Sequence, residues 1–184
     1  MKVLVLTGSP HARGTTAHLA DEFCEGARES GNEVIRFDTA MLILRPCLGC
    51  RYCREHNGDC VHSDDMRLIT PELLSADVIT LITPIYYHGM TAQLKRVIDR
   101  MYAPNHQLRG MKKRVMLIAA GEGKELRVMD SLVEQIRAIS RYMGWEVADM
   151  LLATNAKTRE DVVNSAYETK AREMGQSLLA GSNL

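Results

Sequence analysis

The sequence predicts an α/β fold in which a five-stranded parallel sheet lies between two layers of helices. Short apolar runs rich in Val, Leu and Ile alternate along the chain with longer amphipathic segments of helical period. Strands that are joined through helices pair in parallel, and the helices then cover both faces of the sheet. Five such strands within 184 residues fit the doubly wound strand order 2-1-3-4-5.

The first predicted elements are a strand, a helix and a second strand. Lys2–Leu6 is an apolar run that Gly8-Ser9-Pro10 ends, which is typical of a buried strand. A helix is predicted from Thr15 or Thr16 to about Ser30, because apolar residues recur at helical spacing up to Gly31, a residue that commonly follows a helix. Glu33–Asp38 is the second predicted strand.

The middle of the chain departs from a plain alternation. A cysteine-rich insertion occupies about residues 40–63 in place of a simple turn. The segment Asp64–Ser75 is predicted to be helical, and Pro71 is expected to kink or split that helix because it removes a hydrogen bond. Asp77–Thr83 is the third predicted strand, and Thr91–Tyr102 is a helix with its apolar residues on one face.

The last elements continue the alternation. Lys113–Ala120 is the fourth predicted strand, and Glu125–Met143 is a long amphipathic helix that Gly144 ends. Trp145–Ala153 is the fifth predicted strand, and a closing helix is predicted over Thr158–Leu179. We therefore expect residues 1–184 to form a single domain.

The composition excludes several classes of protein. Lys plus Arg and Asp plus Glu each number 23, so the net charge is 0, and the chain lacks the basic excess of a nucleic-acid-binding protein. The apolar content of 46% is enough for a core, which excludes a disordered chain. No apolar run approaches the roughly 20 residues of a membrane span, and the first run is too short for a signal peptide. We expect a cytoplasmic protein that binds neither nucleic acid nor a membrane.

The loop after the first strand is a candidate phosphate site. In open α/β sheets, ligands bind beyond the carboxyl ends of the strands, where the strand order reverses. The loop Gly8–Thr16 is rich in small and hydroxyl residues and leads into a helix N-terminus, which favours an anion. It has neither the ending of a P-loop nor a G-x-G-x-x-G sequence. A monophosphate such as FMN fits it better, and an ordinary capped loop is the alternative.

Two further loops at the same edge carry residues suited to a flavin. Two adjacent tyrosines follow the third strand, and an aromatic ring there can stack on an isoalloxazine. Glycines after the fourth strand allow the backbone close to a ligand. His88 is expected at the rim. The predicted FMN-binding residues are Ser9, His11, Arg13, Gly14, Thr15, Thr16, Pro84, Ile85, Tyr86, Tyr87 and Gly121.

Four of the five cysteines, Cys47, Cys50, Cys53 and Cys60, lie in the insertion. In a reducing compartment such a density indicates metal binding or redox chemistry. A closely spaced C-x-x-C-x-x-C run with one more distant cysteine suits a [4Fe–4S] cluster. Zinc is an alternative, although structural zinc sites commonly use two separated C-x-x-C pairs, and four free thiols are another. Cys24, on the apolar face of the first helix, is expected to be a buried structural residue.

Several charged residues are expected to have no chemical role. Asp64 and Asp65 precede a helix, where acidic side chains cap the chain and favour the helix dipole. The basic residues of two further segments are expected to lie on solvated surfaces; they are Lys95, Arg96 and Arg100, and Lys112, Lys113 and Arg114.

With these motifs the chain resembles the NAD(P)H-dependent FMN reductase and iron–sulfur flavoprotein group of the flavodoxin-like superfamily. The motifs that carry the resemblance are Gly8-Ser9-Pro10 with Gly14-Thr15-Thr16, Pro46-Cys47-x-Gly49-Cys50-x-x-Cys53, Gly58-x-Cys60 with Asp64-Asp65-Met66, Pro84-Ile85-Tyr86, Leu94-Lys95 and Ile98-Asp99-Arg100. The family usually has Arg after Ser-Pro, where this chain has His11, and it usually has Asn or Ser before the second Thr, where this chain has Thr15. Arg13 is the expected substitute for the missing charge.

The resemblance implies a flavodoxin-like sandwich that binds FMN without a covalent bond. It implies that NAD(P)H delivers hydride to the flavin and that a quinone, a free flavin or an iron–sulfur centre accepts the electrons. It also implies a homodimer or homotetramer. No catalytic residue is assigned, because the flavin carries the chemistry. The alternatives are an electron-transfer protein without substrate turnover and a redox sensor that works through the cysteines.

Overall fold

The structure, a computed structural model, describes residues 1–179. Its strands are β1 (Lys2–Thr7), β2 (Glu33–Asp38), β3 (Val78–Pro84), β4 (Arg114–Ala120) and β5 (Glu146–Ala153). They form one sheet in the order β2-β1-β3-β4-β5, in which every neighbouring pair is parallel. The predicted fold class and strand order are therefore confirmed. The single domain predicted over residues 1–184 stays a prediction, and residues 180–184 lie outside the described part of the chain.

Helices cover both faces of the sheet. They are α1 (Thr15–Glu29), α2 (Tyr52–Glu55), α3 (Met66–Ser75), α4 (Ala92–Arg100), α5 (Asn105–Leu108), α6 (Asp130–Met143) and α7 (Ala166–Gln176). The apolar sides of α1 and α7 share one core cluster, and those of α3, α4 and α6 share the other. Within residues 1–179, the structure contains no helix long and apolar enough to cross a membrane.

The central strand β1 explains why the chain needs both layers. Val3 and Val5 belong to the core on the α1 and α7 side, whereas Leu4 and Leu6 belong to the core on the opposite side. Successive side chains of a strand point to opposite faces, so a strand that is apolar at every position must be covered twice. All four side chains are at most 1% exposed.

Two helix predictions differ from the structure. Pro71 lies inside α3, which runs unbroken from Met66 to Ser75, so the expected split does not occur. The closing helix is shorter than predicted, because a 3₁₀ turn closed by Thr158 and Asp161 comes first. Asn164 then adopts a left-handed conformation, and Ser165 caps the start of α7 by accepting a hydrogen bond from Tyr167 N (3.1 Å).

Lys113 was expected on a solvated surface, but it is only 3% exposed. Its Nζ donates hydrogen bonds to the carbonyl oxygens of Leu74 (3.0 Å) and Ala76 (2.5 Å), which end α3. A cation satisfies the free carbonyl groups at a helix C-terminus. Burial lowers the pKa of Lys113, and Asp77 partly opposes that effect.

Helices α1 and α7 approach each other through glycine. A Cβ atom at Gly26 would overlap the carbonyl oxygen of Arg172, and one at Gly175 would overlap that of Phe23. Neither backbone atom can move without displacing its helix. Glycine is therefore the residue that allows this helix pair to pack against the sheet.

The sign of the change in the free energy of unfolding of Gly26→Ala tests this packing. Alanine is the better helix former by about 1 kcal/mol, so an uncrowded helix would gain stability. We expect a loss of about 1–3 kcal/mol in the free energy of unfolding instead, because the interface is overpacked. Urea unfolding measures this value. Gly89→Ala is the control, since its Cβ would meet no atom closer than 3.9 Å, and its effect should stay within about 0.5 kcal/mol.

Candidate functional site

A cleft of about 320 Å³ lies at the carboxyl ends of β1, β3, β4 and β5. Ligand sites of proteins commonly have volumes of about 300–1,000 Å³ and occur at this edge of α/β sheets. Nine of the eleven predicted FMN-binding residues line the cleft: Ser9, His11, Gly14, Thr15, Thr16, Pro84, Ile85, Tyr86 and Gly121. The structure thus brings together residues that are up to 112 positions apart in the sequence.

The loop after β1 is held against α4. The Thr91 hydroxyl donates a hydrogen bond to the carbonyl oxygen of Gly8 (2.7 Å), and a Cβ atom at Gly8 would overlap that hydroxyl. The Ser9 hydroxyl accepts a hydrogen bond from His11 N (3.1 Å), which shapes the turn. These contacts place the loop before α1 begins at Thr15.

The residue at the capping position of α1 is Gly14, which offers no side-chain acceptor to the first N–H groups of the helix. The first backbone N–H groups of a helix have no partner within the helix and carry its positive dipole end. Gly14, Thr15 and Thr16 line the cleft at this point. The cleft therefore offers N–H and hydroxyl donors to an anion.

The loop after β3 forms a tight hairpin turn. Tyr86 and Gly89 exchange two backbone hydrogen bonds of 3.1 Å, and Tyr87 and His88 between them have positive φ angles of 48° and 63°. Tyr86 lines the cleft and is 44% exposed as a residue, whereas Tyr87 is fully exposed and lies outside the cleft lining. His88 is at the rim, where its Nδ1 is 3.0 Å from the carbonyl oxygen of Val128. Non-glycine residues in this conformation store strain, which occurs often at ligand sites.

Arg13 also lies outside the cleft lining and is exposed. The cleft lining thus does not include Arg13 or Tyr87, and their roles in FMN binding stay predictions. Basic residues reach the cleft from the loop after β5 instead. Lys157 and Arg159 both line it.

The loop after β5 is a part of the cleft that the sequence motifs do not predict. Ala156, Lys157, Thr158 and Arg159 line the cleft, together with Ala120 and Glu122 from the end of β4. The Thr15 hydroxyl contacts the carbonyl oxygen of Lys157 (3.4 Å), and Lys157 Nζ pairs with Glu122 (2.8 Å). The predicted strand β5 is the signal that indicates this loop, because the carboxyl ends of parallel strands share one edge. The loop itself contains neither the glycines nor the aromatic residues that distinguish the loops after β3 and β4.

The four cysteines of the insertion line one small void, separate from the cleft. All four are free thiols; Cys47 and Cys50 are exposed, and Cys53 and Cys60 are partly buried. Within residues 1–179, no three of their sulfur atoms lie within 4.8 Å of one another. Arg100, Tyr52, His62 and Tyr102 are among the other side chains that line the void. Cys24 is buried under α1 as expected, and burial raises the pKa of its thiol to about 11.

Two aspartates close the insertion at its base. The Asp65 carboxylate accepts a hydrogen bond from Ile43 N (2.8 Å), and the Asp64 carboxylate accepts one from Arg45 N (2.9 Å). Asp64 also accepts a bond from Met66 N (3.2 Å), the first residue of α3, whereas Asp65 stands at the capping position and its side chain does not bond the helix. We call this contact of residues 43–45 with residues 64–66 the neck of the cysteine loop.

Arg100 was expected on a solvated helix face, but it is 2% exposed. Its Nη1 and Nη2 donate to the two oxygens of Asp64 (2.7 and 3.1 Å), and Nη1 also donates to the carbonyl oxygen of Arg45 (2.9 Å). The last residue of α4 thus points inward because the neck supplies a carboxylate for it. Burial raises the pKa of Asp64, but the Arg100 bonds and two backbone N–H groups outweigh it, so the pKa lies below its ordinary value.

Two other regions of the structure also bring polar side chains together. A cleft of about 310 Å³ lies beside Cys53, between Arg54, Tyr102 and His106, but it is remote from the strand ends. His18, Glu22 and Glu168 bring three potential metal ligands within 4.8 Å of one another. Glu22 is paired with Arg172 (2.9 Å), and Glu168 bonds both His18 and Asn164 N. This cluster therefore serves to join α1 to α7.

Comparison with known proteins identifies the family. The model of the family described as NADPH-dependent FMN reductase matches residues 1–156. The chain belongs to this family. The match includes the whole cysteine insertion and every cleft-lining residue up to Ala156.

Its relatives include iron–sulfur flavoproteins of archaea. One from Methanocaldococcus jannaschii is 39% identical over 100 residues, 54% of this chain and 51% of the relative. One from Archaeoglobus fulgidus is 31% identical over 140 residues, 75% of this chain and 63% of the relative. The chain thus spans about half to two thirds of the length of these relatives.

Among solved structures, an NAD(P)H:quinone oxidoreductase from Methanothermobacter marburgensis shares the fold. Its TM-score is 0.72 and its identity 17%, and the alignment covers 100% of this chain and 98% of that chain.

Asp64→Asn tests the buried ion pair at the neck. It leaves the Arg100 charge buried without its partner, so we expect a loss of about 3–5 kcal/mol in the free energy of unfolding at pH 7. Asp99→Asn, on the exposed Lys95–Asp99 pair of α4 (2.5 Å), is the control, with an expected loss below about 0.5 kcal/mol. Urea unfolding of both variants measures the difference.

The stability difference between the wild type and Asp64→Asn should depend on pH in one direction. A carboxylate with a lowered pKa contributes stability above its unfolded pKa of about 3.9, and this contribution is lost as pH falls through the folded value. The difference between the wild type and Asp64→Asn should therefore shrink below about pH 4. A difference that stays constant on acidification would contradict the assigned pKa shift.

Proposed function

We propose that this chain is an FMN-dependent oxidoreductase that accepts hydride from NAD(P)H and passes electrons to a small acceptor such as a quinone, a flavin or an iron–sulfur centre. The observation that carries the proposal is the cleft at the strand ends, in which nine residues predicted to bind FMN meet. The family model, described as that of NADPH-dependent FMN reductases, supports it independently of the cleft.

The phosphate of FMN would bind at the N-terminus of α1. The uncapped N–H groups there and the hydroxyls of Ser9, Thr15 and Thr16 are donors that suit a dianion. The chain has His11 where the family has Arg, and His11 lines the cleft. Arg159 and Lys157 supply positive charge from the loop after β5, so Arg13 is not required for it.

The ring system would lie between the loops after β3 and β4. Pro84, Ile85 and Tyr86 line one part of the cleft, and Gly121 lines another. A Cβ atom at Gly121 would press on Ile85 at 3.3 Å, so glycine keeps this part open. The half-exposed Tyr86 ring offers an aromatic surface for stacking. When bound, FMN supplies the hydride-transfer chemistry, and the residues of the cleft orient it and exclude water.

The cysteine loop would hold a [4Fe–4S] cluster through Cys47, Cys50, Cys53 and Cys60. The four free thiols line one void, and four thiolates are the number that such a cluster takes. The C-x-x-C-x-x-C run with one more distant cysteine favours a cluster over zinc, because structural zinc sites commonly use two separated C-x-x-C pairs. When bound, a cluster would take up electrons one at a time.

We further propose a homodimer or homotetramer and a cytoplasmic location. Ile43, Leu48, Val61 and Leu68 are 48–71% exposed on the cysteine loop and on α3. Exposed apolar side chains that occur in one region commonly mark a subunit interface. A reducing compartment is required to keep the four thiols available for a metal.

Ser9→Ala and Thr15→Val test FMN binding. A hydrogen bond to a charged phosphate contributes about 1.5–3 kcal/mol, so we expect each variant to weaken the binding of FMN by about 10–150-fold. Titration of apoprotein with FMN, followed by flavin fluorescence, measures the affinity. Ser75→Ala at the end of α3, beyond the opposite edge of the sheet, should bind FMN as the wild type does.

Wild-type protein loaded with FMN tests the proposed reaction. NADH or NADPH added without oxygen should bleach the flavin absorbance, and a quinone added afterwards should restore it. Wild-type protein that binds FMN but is reduced by neither nucleotide would favour the electron-transfer alternative. Protein that binds no FMN would contradict the proposal as a whole.

Metal analysis of protein purified without oxygen tests the cysteine loop. We expect about four irons and four sulfides per chain, and a marked loss of both in Cys60→Ser. Cys24→Ala removes a cysteine outside the loop and should keep the wild-type content. One zinc per chain, or a metal content that Cys60→Ser does not change, would contradict the cluster.

A further inference from the structure

Arg100 carries a hydrogen-bond donor that the neck of the cysteine loop does not use. Its Nη1 and Nη2 face the two oxygens of Asp64 in an end-on arrangement, and Nη1 also bonds the carbonyl oxygen of Arg45. The Nε–H points elsewhere. Within residues 1–179 it is buried and has no hydrogen-bond partner. An unsatisfied buried donor on a charged group is costly, so such a position indicates a partner that is bound in the working protein.

The cysteine void is the place where that partner can lie. Arg100 lines the void together with all four cysteines, so their side chains surround the same small space. Burial lowers the pKa of Arg100, but the Asp64 bonds and the neighbouring Cys60 outweigh it, so the pKa is raised and the guanidinium stays charged. The sulfur atoms that line this void are therefore candidate acceptors for the unused side of the group.

We propose that Arg100 is a positioning residue that donates a hydrogen bond from Nε to the Cys60 sulfur and thereby makes the cluster easier to reduce. This inference rests on the cluster of the proposed function. Hydrogen bonds to the sulfur ligands of an iron–sulfur cluster raise its reduction potential, because they stabilise the additional negative charge of the reduced form. No proton or electron passes through Arg100.

Asp64 limits the distance over which the charge of Arg100 acts on the cluster. Its carboxylate, 1% exposed in its side chain, cancels most of the Arg100 charge at long range. What remains at the sulfur is the short-range Nε–H donor, held in direction by the two bonds to Asp64. Arg100 would therefore act through one oriented N–H group rather than through its net charge.

A purely structural role makes different predictions. If Arg100 only closes the neck, any substitution that loosens the neck affects the cluster through the position of the loop. Substitutions of Arg100 and of Asp64 would then change the potential in the same direction. A donor held by a counter-charge predicts opposite directions, because loss of Arg100 removes the donor and loss of the Asp64 charge leaves the cation uncompensated.

Arg100→Lys is the first test. Lysine keeps a positive charge that can pair with Asp64, but it has no Nε–H directed to the side. In FMN-loaded protein purified without oxygen, we expect wild-type iron and sulfide contents and an equilibrium constant for cluster reduction that is about tenfold lower, which is about 59 mV for one electron. A redox titration followed by electron paramagnetic resonance measures it. Arg137→Lys, the same change at an exposed residue of α6 that pairs with Glu134, should leave the potential unchanged.

Asp64→Asn is the second test, and it keeps Arg100 intact. Its cluster should be reduced at a higher potential than the wild-type cluster, even though the fold is less stable. A potential in Arg100→Lys that equals the wild-type value, or a lower potential in Asp64→Asn, overturns the inference while leaving the cluster in place. If Arg100→Lys fails to retain iron, Arg100→Gln replaces it in the comparison, and shifts of the same sign in Arg100→Gln and Asp64→Asn overturn the inference. Wild-type protein without iron and sulfide overturns the cluster and this inference together.

Discussion

All five strands must end at one edge of the sheet, because parallel strands joined by helices return to the same starting edge before each new strand begins. In the order β2-β1-β3-β4-β5, the chain leaves β1 toward α1 on one face and leaves β3 toward α4 on the other. The loops after β1 and β3 therefore diverge, and a crevice lies between them. The cleft is a consequence of this topology, and the side chains around it only determine what it binds.

The loops of the cleft are held by the scaffold at a few well-defined contacts. Gly8 allows the first loop to lie directly under the Thr91 hydroxyl at the start of α4. The loop after β5 is joined to α1 through Thr15 and to the end of β4 through Lys157 and Glu122. Such contacts let loops carry function without losing their position. They also explain why residues from four separate strands can meet around one ligand.

The buried pair of Asp64 and Arg100 has the same role for the cysteine loop. A buried ion pair contributes little net stability, because the cost of removing two charges from water offsets their attraction. It does fix one arrangement, since Asp64 bonds Arg100, Arg45 N and Met66 N at the same time. The loop can therefore be exposed and irregular over most of its length while its base, beside Cys60, is set from within the core.

The sequence by itself determined the fold class, the strand order and nine of the cleft residues. Apolar runs, glycines and hydroxyl residues are local signals, and the rule that strand ends share an edge turns them into a site. Only the tertiary structure decided what depends on a partner distant in the sequence. Arg100 and Lys113 belong to segments with the pattern of solvated helices and loops, yet both are buried because Asp64 and the end of α3 provide partners for their charges. The part played by Lys157 and Arg159 likewise depends on where the loop after β5 lies. A sequence pattern records the average surroundings of a residue, whereas the partner of a buried charge is set by the packing of elements far apart in the chain.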